Sequence, residues 1–386
     1  LKYMMMEVLR EKSSIDKMKT PVFILFIYLF QSCITLHVIP NEIGMSLDDF
    51  LQTKDNHCEL KLVEKSDSNT IYNSGFTNDD RVYLYHFNEK TALYFGQMQV
   101  SHNNLEMVHN EDELRFTDRG MISQMYSENG EEFGLFLESS FGNSFVIEPK
   151  FAITSGDGRN SFGDDSRDSD KGGVKLGSRI NFYPFGHFTQ GNQLTTVDLE
   201  GEEKLKAQLG FAFSKNFGAS NLVGDGHGDF ILYDSTGNEQ YPDYSQLFFD
   251  LNLKYRGFSF VFEYADATAS GIEYIFTDPN GFNILNPTQI SEYLIIGDSQ
   301  GIQFGYFTKN GLSLDFMYEQ FNPEFGSNSN SILRESTNLG VGVSKYIVGN
   351  KLKLQASAFK TNNKNIVAGL EDDEFMSVAF LVQIAF

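Results

Sequence analysis

The sequence predicts an all-β protein: a transmembrane antiparallel β-barrel of about 14–16 strands, preceded by an N-terminal signal peptide. Three observations support this fold class. The chain has 37 Phe, 18 Tyr and 34 Gly but no Trp among its 386 residues, and these residues favour strands and tight turns. Segments with a two-residue hydrophobic period recur along the chain. No segment after the leader reaches the roughly 20 consecutive apolar residues that a spanning helix requires.

The first part of the chain is interpreted as a leader that precedes the fold. Residues 18–35 contain a cationic start and an apolar core of about a dozen residues, which matches a secretory signal and is too short for a membrane span. Residues 1–17 precede this signal and are interpreted as an upstream extension that is not native. Cys33 leaves a lipoprotein leader open as an alternative, although the residues before it fit that consensus poorly.

The segment 36–80 is polar and rich in turn residues, with only one poor strand candidate. Three interpretations stay open for it: a periplasmic extension, a helix that plugs the mouth of the barrel, or degraded strands. No Pro-rich, Ser-rich or charged linker divides the rest of the chain. We therefore expect one porin-like barrel domain over residues 81–386.

The most specific feature is the end of the chain, FMSVAFLVQIAF at 375–386. Apolar residues occupy every second position, which predicts a strand with one apolar face. A soluble sandwich strand could show the same alternation, but an ending of this kind on an aromatic residue resembles the signal that barrel-assembly machinery reads. We expect that machinery and outer-membrane lipid as partners. The residues predicted to face the membrane are Val378, Phe380, Val382, Ile384 and Phe386.

The same alternation recurs upstream and predicts about 14 strands. In 245–256, apolar residues share one face and charged residues the other, and Gly257 marks a tight turn into the next strand. Asn310-Gly311 is a second strong turn signal. The predicted strands lie near 57–65, 81–89, 92–100, 131–142, 144–155, 174–184, 204–217, 245–256, 258–268, 301–309, 312–322, 337–348, 351–361 and 375–386.

Charge and motif content exclude several classes of function. The net charge of −22 argues against nucleic acid as a partner, because phosphate binding needs a basic face. The seven histidines have no nucleophile motif near them, so no catalytic residues and no enzymatic activity are predicted. Acidic clusters lack calcium-loop spacing, and the two cysteines form no thiolate motif. We expect no cofactor and no metal.

Four segments carry a family resemblance: LYFGQMQV at 93–100, LRFTDRG at 114–120, EFGLFLES at 132–139 and FVIEPKFAITSGDGRNSF at 145–162. Together with later strands they resemble the phosphate-selective porin O and P family of Bacteroidetes-type bacteria, over about residues 81–386. The resemblance implies a bacterial outer-membrane porin, a loop at 101–130 folded into the pore, and a homotrimer. The chain departs from that family in its poor N-terminal strands and its acidic balance.

The solute is expected to be small and hydrophilic, with anions such as phosphate or polyphosphate as the finer prediction. Basic side chains on the polar faces of consecutive strands and in the proposed inward loop would form the anion path, because rings of charge bias ion choice. The alternative is that these side chains pair with nearby acids and add little selectivity. A structural or adhesin-like outer-membrane barrel with a closed lumen is the rival function. The anion-transit candidates are Arg115, Arg119, Lys150, Arg159, Lys175, Arg179, Lys204 and Lys206.

Overall fold

The computed structural model describes residues 37–38, 60–62, 72–74, 82–109, 111–127, 130–159, 173–226, 228–365 and 371–384. The chain divides into two compact units, 1–86 and 87–386. The predicted leader at 18–35, the extension at 1–17 and Phe386 lie outside the described residues.

The first unit contains a small three-stranded sheet. Its strands are β1 (His37–Val38), β2 (Leu60–Leu62) and β3 (Tyr72–Ser74). β1 pairs with β2 in parallel and β2 pairs with β3 antiparallel. The predicted barrel strand at 57–65 was therefore wrong for its described residues 60–62, which pair within this separate sheet.

The predicted antiparallel β-barrel fold is confirmed by a single sheet of fourteen strands. The strands pair in chain order, and β6 and β7 both pair with β8. Each of the thirteen other predicted strands coincides with this sheet to within four residues at either end. The strands β4 to β17 are Val82–Asn88, Thr91–Gln99, Glu131–Ser139, Phe141–Gly142, Val146–Thr154, Lys175–Tyr183, Lys206–Phe217, Asp243–Tyr255, Phe258–Ser270, Gly297–Phe307, Leu312–Pro323, Ser336–Val348, Leu352–Asn363 and Asp373–Ile384.

Tight turns join neighbouring strands where the sequence places them. Between β11 and β12, Arg256 and Gly257 both have positive φ, at 50° and 87°, which is the geometry of a type I′ hairpin turn. The Gly257 conformation is also forced by space, because an added Cβ would meet the Phe307 carbonyl oxygen at 2.4 Å. Gly311, in the predicted Asn310-Gly311 turn, has φ of 74°.

The connections of the sheet alternate between two ends, as they must in an antiparallel meander. The turn end carries the connections 140–145, 184–205, 256–257, 308–311 and 349–351. The loop end carries 100–130, 155–174, 218–242, 271–296, 324–335 and 364–372. Most turn-end connections are short, and the long exception is 184–205. It is joined to the turn 256–257 by the hydrogen bond from Arg256 N to Glu202 O at 2.9 Å. Counting strands from either side of this connection also places it at the turn end.

The two faces of the sheet differ in polarity because successive side chains alternate. The outer face exposes a continuous apolar band, to which each central strand contributes aromatic or branched residues. This band includes Phe151, Phe213, Leu247, Phe304, Leu314, Val341 and Leu354. The predicted membrane-facing residues of β17 belong to it: Val378, Phe380, Val382 and Ile384 are 59–82% exposed. Such a band is what lipid requires of a membrane strand.

The inner face is polar and buried. Its side chains include Asp250, Lys254, Glu263, Asp315, Glu319, Asn338, Lys353 and Gln355, all at most 6% exposed. Within the described residues, no helix is long and apolar enough to cross a membrane. In the part of the chain that the structure describes, helical structure is limited to α1 (Met121–Tyr126) and short 3₁₀ turns at Glu111–Glu113, Gln190–Asn192 and Pro287–Glu292.

An apolar cluster lies at the loop end of the sheet. It joins the connections 218–242 and 271–296 through buried residues such as Leu232, Ile275 and Leu294. Ile122 and Tyr126 of α1 pack into the same cluster. One end of the 100–130 connection is thereby held by apolar packing.

Candidate functional site

The candidate site is the inner face of the sheet, and the connection 100–130 occupies it. We call residues 100–130 the inner segment; all of it is described except 110, 128 and 129. Its two ends meet at the loop end, where Val100 N donates to Gly130 O at 2.7 Å. This placement agrees with the inward loop that the family resemblance implied for 101–130.

The inner segment runs the length of the inner face to the turn end. There, Lys353 of β16 donates to the carbonyl oxygens of Asp112 and Leu114, each at 2.9 Å. Gln383 of β17 donates to Asp112 O at 3.0 Å. Near the loop end, Gln246 of β11 donates to Tyr126 O at 2.6 Å. Strands well separated in chain order therefore hold one segment between them.

Three buried carboxylates hold the middle of the inner segment. Glu106 accepts hydrogen bonds from Gly120 N at 2.7 Å and Ser123 Oγ at 2.6 Å. Glu263 of β12 accepts from Asn104 Nδ2 at 3.0 Å and Glu106 N at 3.2 Å.

Glu319 of β14, the third of these carboxylates, accepts hydrogen bonds from the first two amides of α1, Met121 N and Ile122 N, both at 3.0 Å. Hydrogen bonds to carboxylates therefore join the middle of the segment to the strands, beside apolar contacts such as that of Phe116 with Phe359 of β16, whose ring centroids are 5.7 Å apart. Water could replace such hydrogen bonds at lower cost than it could replace apolar packing.

Arg115, one of the predicted anion-transit residues, is bonded to several parts of the barrel. Its guanidinium lies 3.2 Å from the Asp315 carboxylate and donates to Thr196 O at 2.6 Å and Ser259 Oγ at 2.8 Å. Its side chain is fully buried. Arg115 therefore ties the inner segment to β12, β14 and the connection 184–205, which is the tethering role that competes with anion transit.

Arg119 also binds within the protein. It donates to the carbonyl oxygens of Glu106 and His109, the latter at 3.0 Å. These are bonds inside the inner segment itself, so Arg119 shapes the segment and does not join it to the wall. Its charge has no carboxylate bonded to it in the described structure.

The strand cations Lys175 and Arg179 of β9 are buried and paired. Lys175 Nζ lies 2.6 Å from Glu132 and 3.5 Å from Asp225. Arg179 lies 2.6 Å from Asp250 and also donates to Asn103 O of the inner segment at 2.8 Å. Carboxylates thus neutralise two cations of the predicted positive wall.

Two further candidates form ion pairs and two lie at the rim. Lys150 pairs with Glu138 at 3.0 Å and Arg159 with Glu131 at 3.0 Å, all partly exposed. Lys206 begins β10 and donates to Phe185 O at 2.7 Å. Lys204 is exposed and precedes the strand, so its predicted inward direction on β10 was wrong. The structure therefore brings Arg115, Arg119, Lys175 and Arg179 to the inner face. Lys150 lies in the middle of β8 opposite Arg179, and the other three candidates lie at the ends of strands or beyond them.

The inner face holds two buried cations that were not among our anion-transit candidates. Lys254 of β11 donates to Asn192 O at 2.6 Å and Thr195 O at 2.5 Å. Lys353 bonds to the carbonyls described above, and both lysines are 0% exposed. The two-residue period already placed both side chains inward. What it could not give is that carbonyls, and not carboxylates, are their bonded partners.

The connection 184–205 closes over the turn end beside these lysines. Asp198 accepts hydrogen bonds from Gly257 N at 2.7 Å and Asn192 Nδ2 at 2.7 Å. Through Thr196 the same connection contacts Arg115. The turn end of the inner face is therefore covered by two segments that bind each other.

Two histidines of the inner segment are buried without bonded partners. Neither ring nitrogen of His102 has a hydrogen-bond partner in the described structure, and neither does Nδ1 of His109. Burial lowers the pKa of His102 to about 4. Burial, with the nearby Lys254, Arg179 and Arg119, lowers the pKa of His109 to about 3. Both rings are therefore neutral near pH 7.

The free space beside the inner segment is small. A cavity between His102, Glu132, Lys175 and Gln246 measures about 10 Å³, near the minimum for a single water molecule. In the described part of the chain, no group of three or more His, Cys, Asp or Glu side chains is arranged to hold a metal ion. Among the described residues, this cavity has room for about one water molecule.

Comparisons with known proteins give a limited result. No family model matches the chain, and no curated protein matches it. Among solved structures, a loop-deletion form of OmpT, an outer membrane protein of Vibrio cholerae, is 12% identical with a TM-score of 0.42, covering 80% of this chain and 82% of that one. OmpT in its trimer form is 11% identical with a TM-score of 0.41, covering 80% and 81%.

A third solved structure, Pseudomonas aeruginosa OccK10, is 12% identical with a TM-score of 0.35, covering 82% of this chain and 87% of that one. All three TM-scores lie below 0.5 and all three identities below 25%. The fold assignment therefore rests on the paired strands and the two faces of this chain's own sheet.

Proposed function

We propose that this chain is a bacterial outer-membrane porin whose inner segment closes it, and which passes small hydrophilic solutes when that segment moves. The observation that carries this proposal is the contrast between the two faces of the sheet. The outer face of the sheet is a lipid-facing apolar band and the inner face is polar. A single connection between two strands lies on that inner face and is hydrogen-bonded to it by Glu263, Glu319 and Lys353. Removing that connection leaves polar walls, which water wets.

The cellular setting follows from the same surface. The apolar outer band requires lipid contact, and a leader at 18–35 would direct export, so the bacterial outer membrane is the proposed location. Barrel-assembly machinery as the inserting partner, and assembly as a homotrimer, remain predictions from the end of the chain and from the family resemblance. No catalytic role is proposed for the chain.

The preference for anions is the finer part of the proposal. Carboxylates pair with Arg115, Lys150, Lys175 and Arg179 on the inner face. This pairing favours weak ion selectivity there. Among the described residues, the hydrogen-bond partners of Lys254 and Lys353 are carbonyl oxygens, and these two lysines are the side chains that would attract phosphate or polyphosphate. Reversal potentials in a salt gradient measure this preference directly, and a cation preference would exclude it.

A second candidate function is supported by the filled inner face. A structural or adhesin-like outer-membrane barrel with a closed lumen would use its loop-end connections as the working surface. The buried ion pairs that hold the inner segment are what such a permanently sealed barrel would also have.

Planar-bilayer recording distinguishes the two candidates. The purified protein is reconstituted at pH 7.5 and at pH 5.0, with voltage of both signs. Discrete conductance steps under any of these conditions support the porin. Silence in every condition, from protein whose fold is verified by circular dichroism and heat-modifiable mobility, supports the closed barrel.

A further inference from the structure

His102 and His109 both lie in the part of the inner segment that precedes α1. Both are buried, at 2% and 5% exposure. The later helix α1 is anchored by Ile122 and Tyr126 in the apolar cluster. Both histidines therefore lie outside the apolar anchor that holds α1.

The groups facing His109 are mainly cationic. Arg119 of the inner segment, Lys254 of β11 and Arg179 of β9 all disfavour a second positive charge there. Of these, Arg179 is paired with Asp250, while Asp198 and Glu202 of the connection 184–205 face Lys254. A protonated His109 would be a buried cation among cations, with no carboxylate bonded to it.

The groups facing His102 are of both signs. The charged groups that act on the pKa of His102 are Glu132 of β6 and Lys175 of β9. These two side chains are already paired with each other at 2.6 Å. The ring also packs directly on the backbone of β9, because a Cβ added at Gly177 would lie 2.0 Å from its Nδ1. The backbone of β9 therefore confines the His102 ring on that side.

We propose that protonation of His109 and His102 releases residues 101–119 from the inner face, so that the inner segment is an acid-operated gate. Its role as a gate rests on the proposed porin function, whereas the release itself does not. The helix α1 stays anchored and returns the segment to its seat when the pH rises.

The direction and size of the effect follow from proton linkage. The seated segment holds both rings neutral down to a pKa of about 4 for His102 and about 3 for His109. In water each ring titrates near pH 6.5, so the seated state binds fewer protons and loses stability as pH falls below that value. At pH 5.0 each histidine favours release by about 30-fold relative to pH 7.5, and the two together by about 10³-fold.

Thiol labelling measures this release without reference to conduction. Ser357 of β16 is 3% exposed and lies under the inner segment, where its Oγ accepts from Thr117 N at 3.2 Å. The full chain carries Ser357→Cys in a background with Cys58→Ser and Cys33→Ser. A second protein carries Ser327→Cys, on an exposed loop-end connection, and corrects for the pH dependence of the reagent.

The expected result is that the ratio of labelling rates, Cys at 357 over Cys at 327, rises at least tenfold between pH 7.5 and pH 5.0. His109→Gln and His102→Gln should each reduce that rise by about 30-fold or abolish it. His187→Gln, which changes a partly exposed histidine at the turn end, should leave it unchanged. If one of the two histidine variants fails to fold, the other variant and the protein that keeps both histidines still test the proposal through their labelling ratios.

A ratio that stays constant with pH, or a rise that neither histidine substitution reduces, overturns the gate. Labelling that rises without any conductance in bilayers would refute the porin while release of the segment stands. Conductance without a pH-dependent rise in labelling would refute the gate while the porin stands.

Discussion

Replacing Arg115 with alanine should unseat the inner segment at neutral pH. The substitution removes an ion pair of 3.2 Å to Asp315 and the bonds to Thr196 and Ser259. It leaves the Asp315 carboxylate buried without its cation, and breaking a buried pair in this way costs about 3–5 kcal/mol. A pair at this distance has an interaction of similar size, about 5 kcal/mol, at an effective dielectric constant near 20.

That cost falls on the seated state, because in the released state water solvates Asp315. The equilibrium between seated and released segment should therefore shift toward release by about 10²- to 5 × 10³-fold. The assay is labelling of the cysteine at 357 at pH 7.5, normalised to the cysteine at 327. Arg334→Ala removes an exposed arginine and serves as the control, with no expected change.

A double-mutant cycle tests the cause of that effect. If the lone carboxylate is responsible, adding Asp315→Ala to Arg115→Ala should restore part of the seating, so the two effects are less than additive. A labelling rate in Arg115→Ala equal to that of the parent protein would refute the reasoning. Additive effects of the two substitutions would refute the role assigned to Asp315.

Two further predictions concern packing on either face of the sheet. Gly177→Ala places a methyl group 2.0 Å from His102 Nδ1, and overpacking of about 1–3 kcal/mol should raise labelling at 357 at neutral pH. Gly326→Ala meets only Pro323 Cγ at 3.8 Å and should change nothing; equal effects would contradict the close approach. Phe316→Lys near the middle of β14 should lower the free energy of unfolding in lipid by about 2–4 kcal/mol. Phe282→Lys, at a loop residue that is 84% exposed, should not, and equal losses would argue against a lipid-facing β14.

The strands could be predicted from the sequence because their signals are local. The alternation in 245–256 and the turn at Gly257 place β11, β12 and their faces correctly, since each side chain's direction follows from its parity. Parity also assigns Asp250, Lys254 and Glu263 to the inner face. The same counting, carried through every hairpin, would have placed the connection 184–205 at the turn end.

The partners across the inner face could not be predicted, because they join residues far apart in sequence. Arg115 meets Asp315 only because the inner segment runs to the turn end before it returns. A row of basic residues on consecutive strands predicted a positive wall, yet the acids opposite them, such as Glu132 and Asp250, belong to other strands. Pairing depends on register and on the path of the segment, and neither has a local signal.

The histidines show the same limit. Nothing in the sequence around His102 or His109 sets them apart from the other five histidines. Their burial arises from the contact of a connecting segment with β9, β11 and β12. A small residue such as Gly177, at an inward position facing that segment, is the one sequence feature that could have indicated a close approach.

The most direct test of this account is the conductance of a chain that lacks the inner segment. Val100 N and Gly130 O are bonded at 2.7 Å, so residues 101–129 can be replaced by a linker of about four Gly and Ser residues that closes the β5–β6 hairpin. At pH 7.5 the shortened protein should show steady open-channel steps in planar bilayers, while the full chain stays mostly closed. Silence from a correctly folded shortened protein, or steps equal to those of the full chain, would contradict the claim that this segment closes a pore.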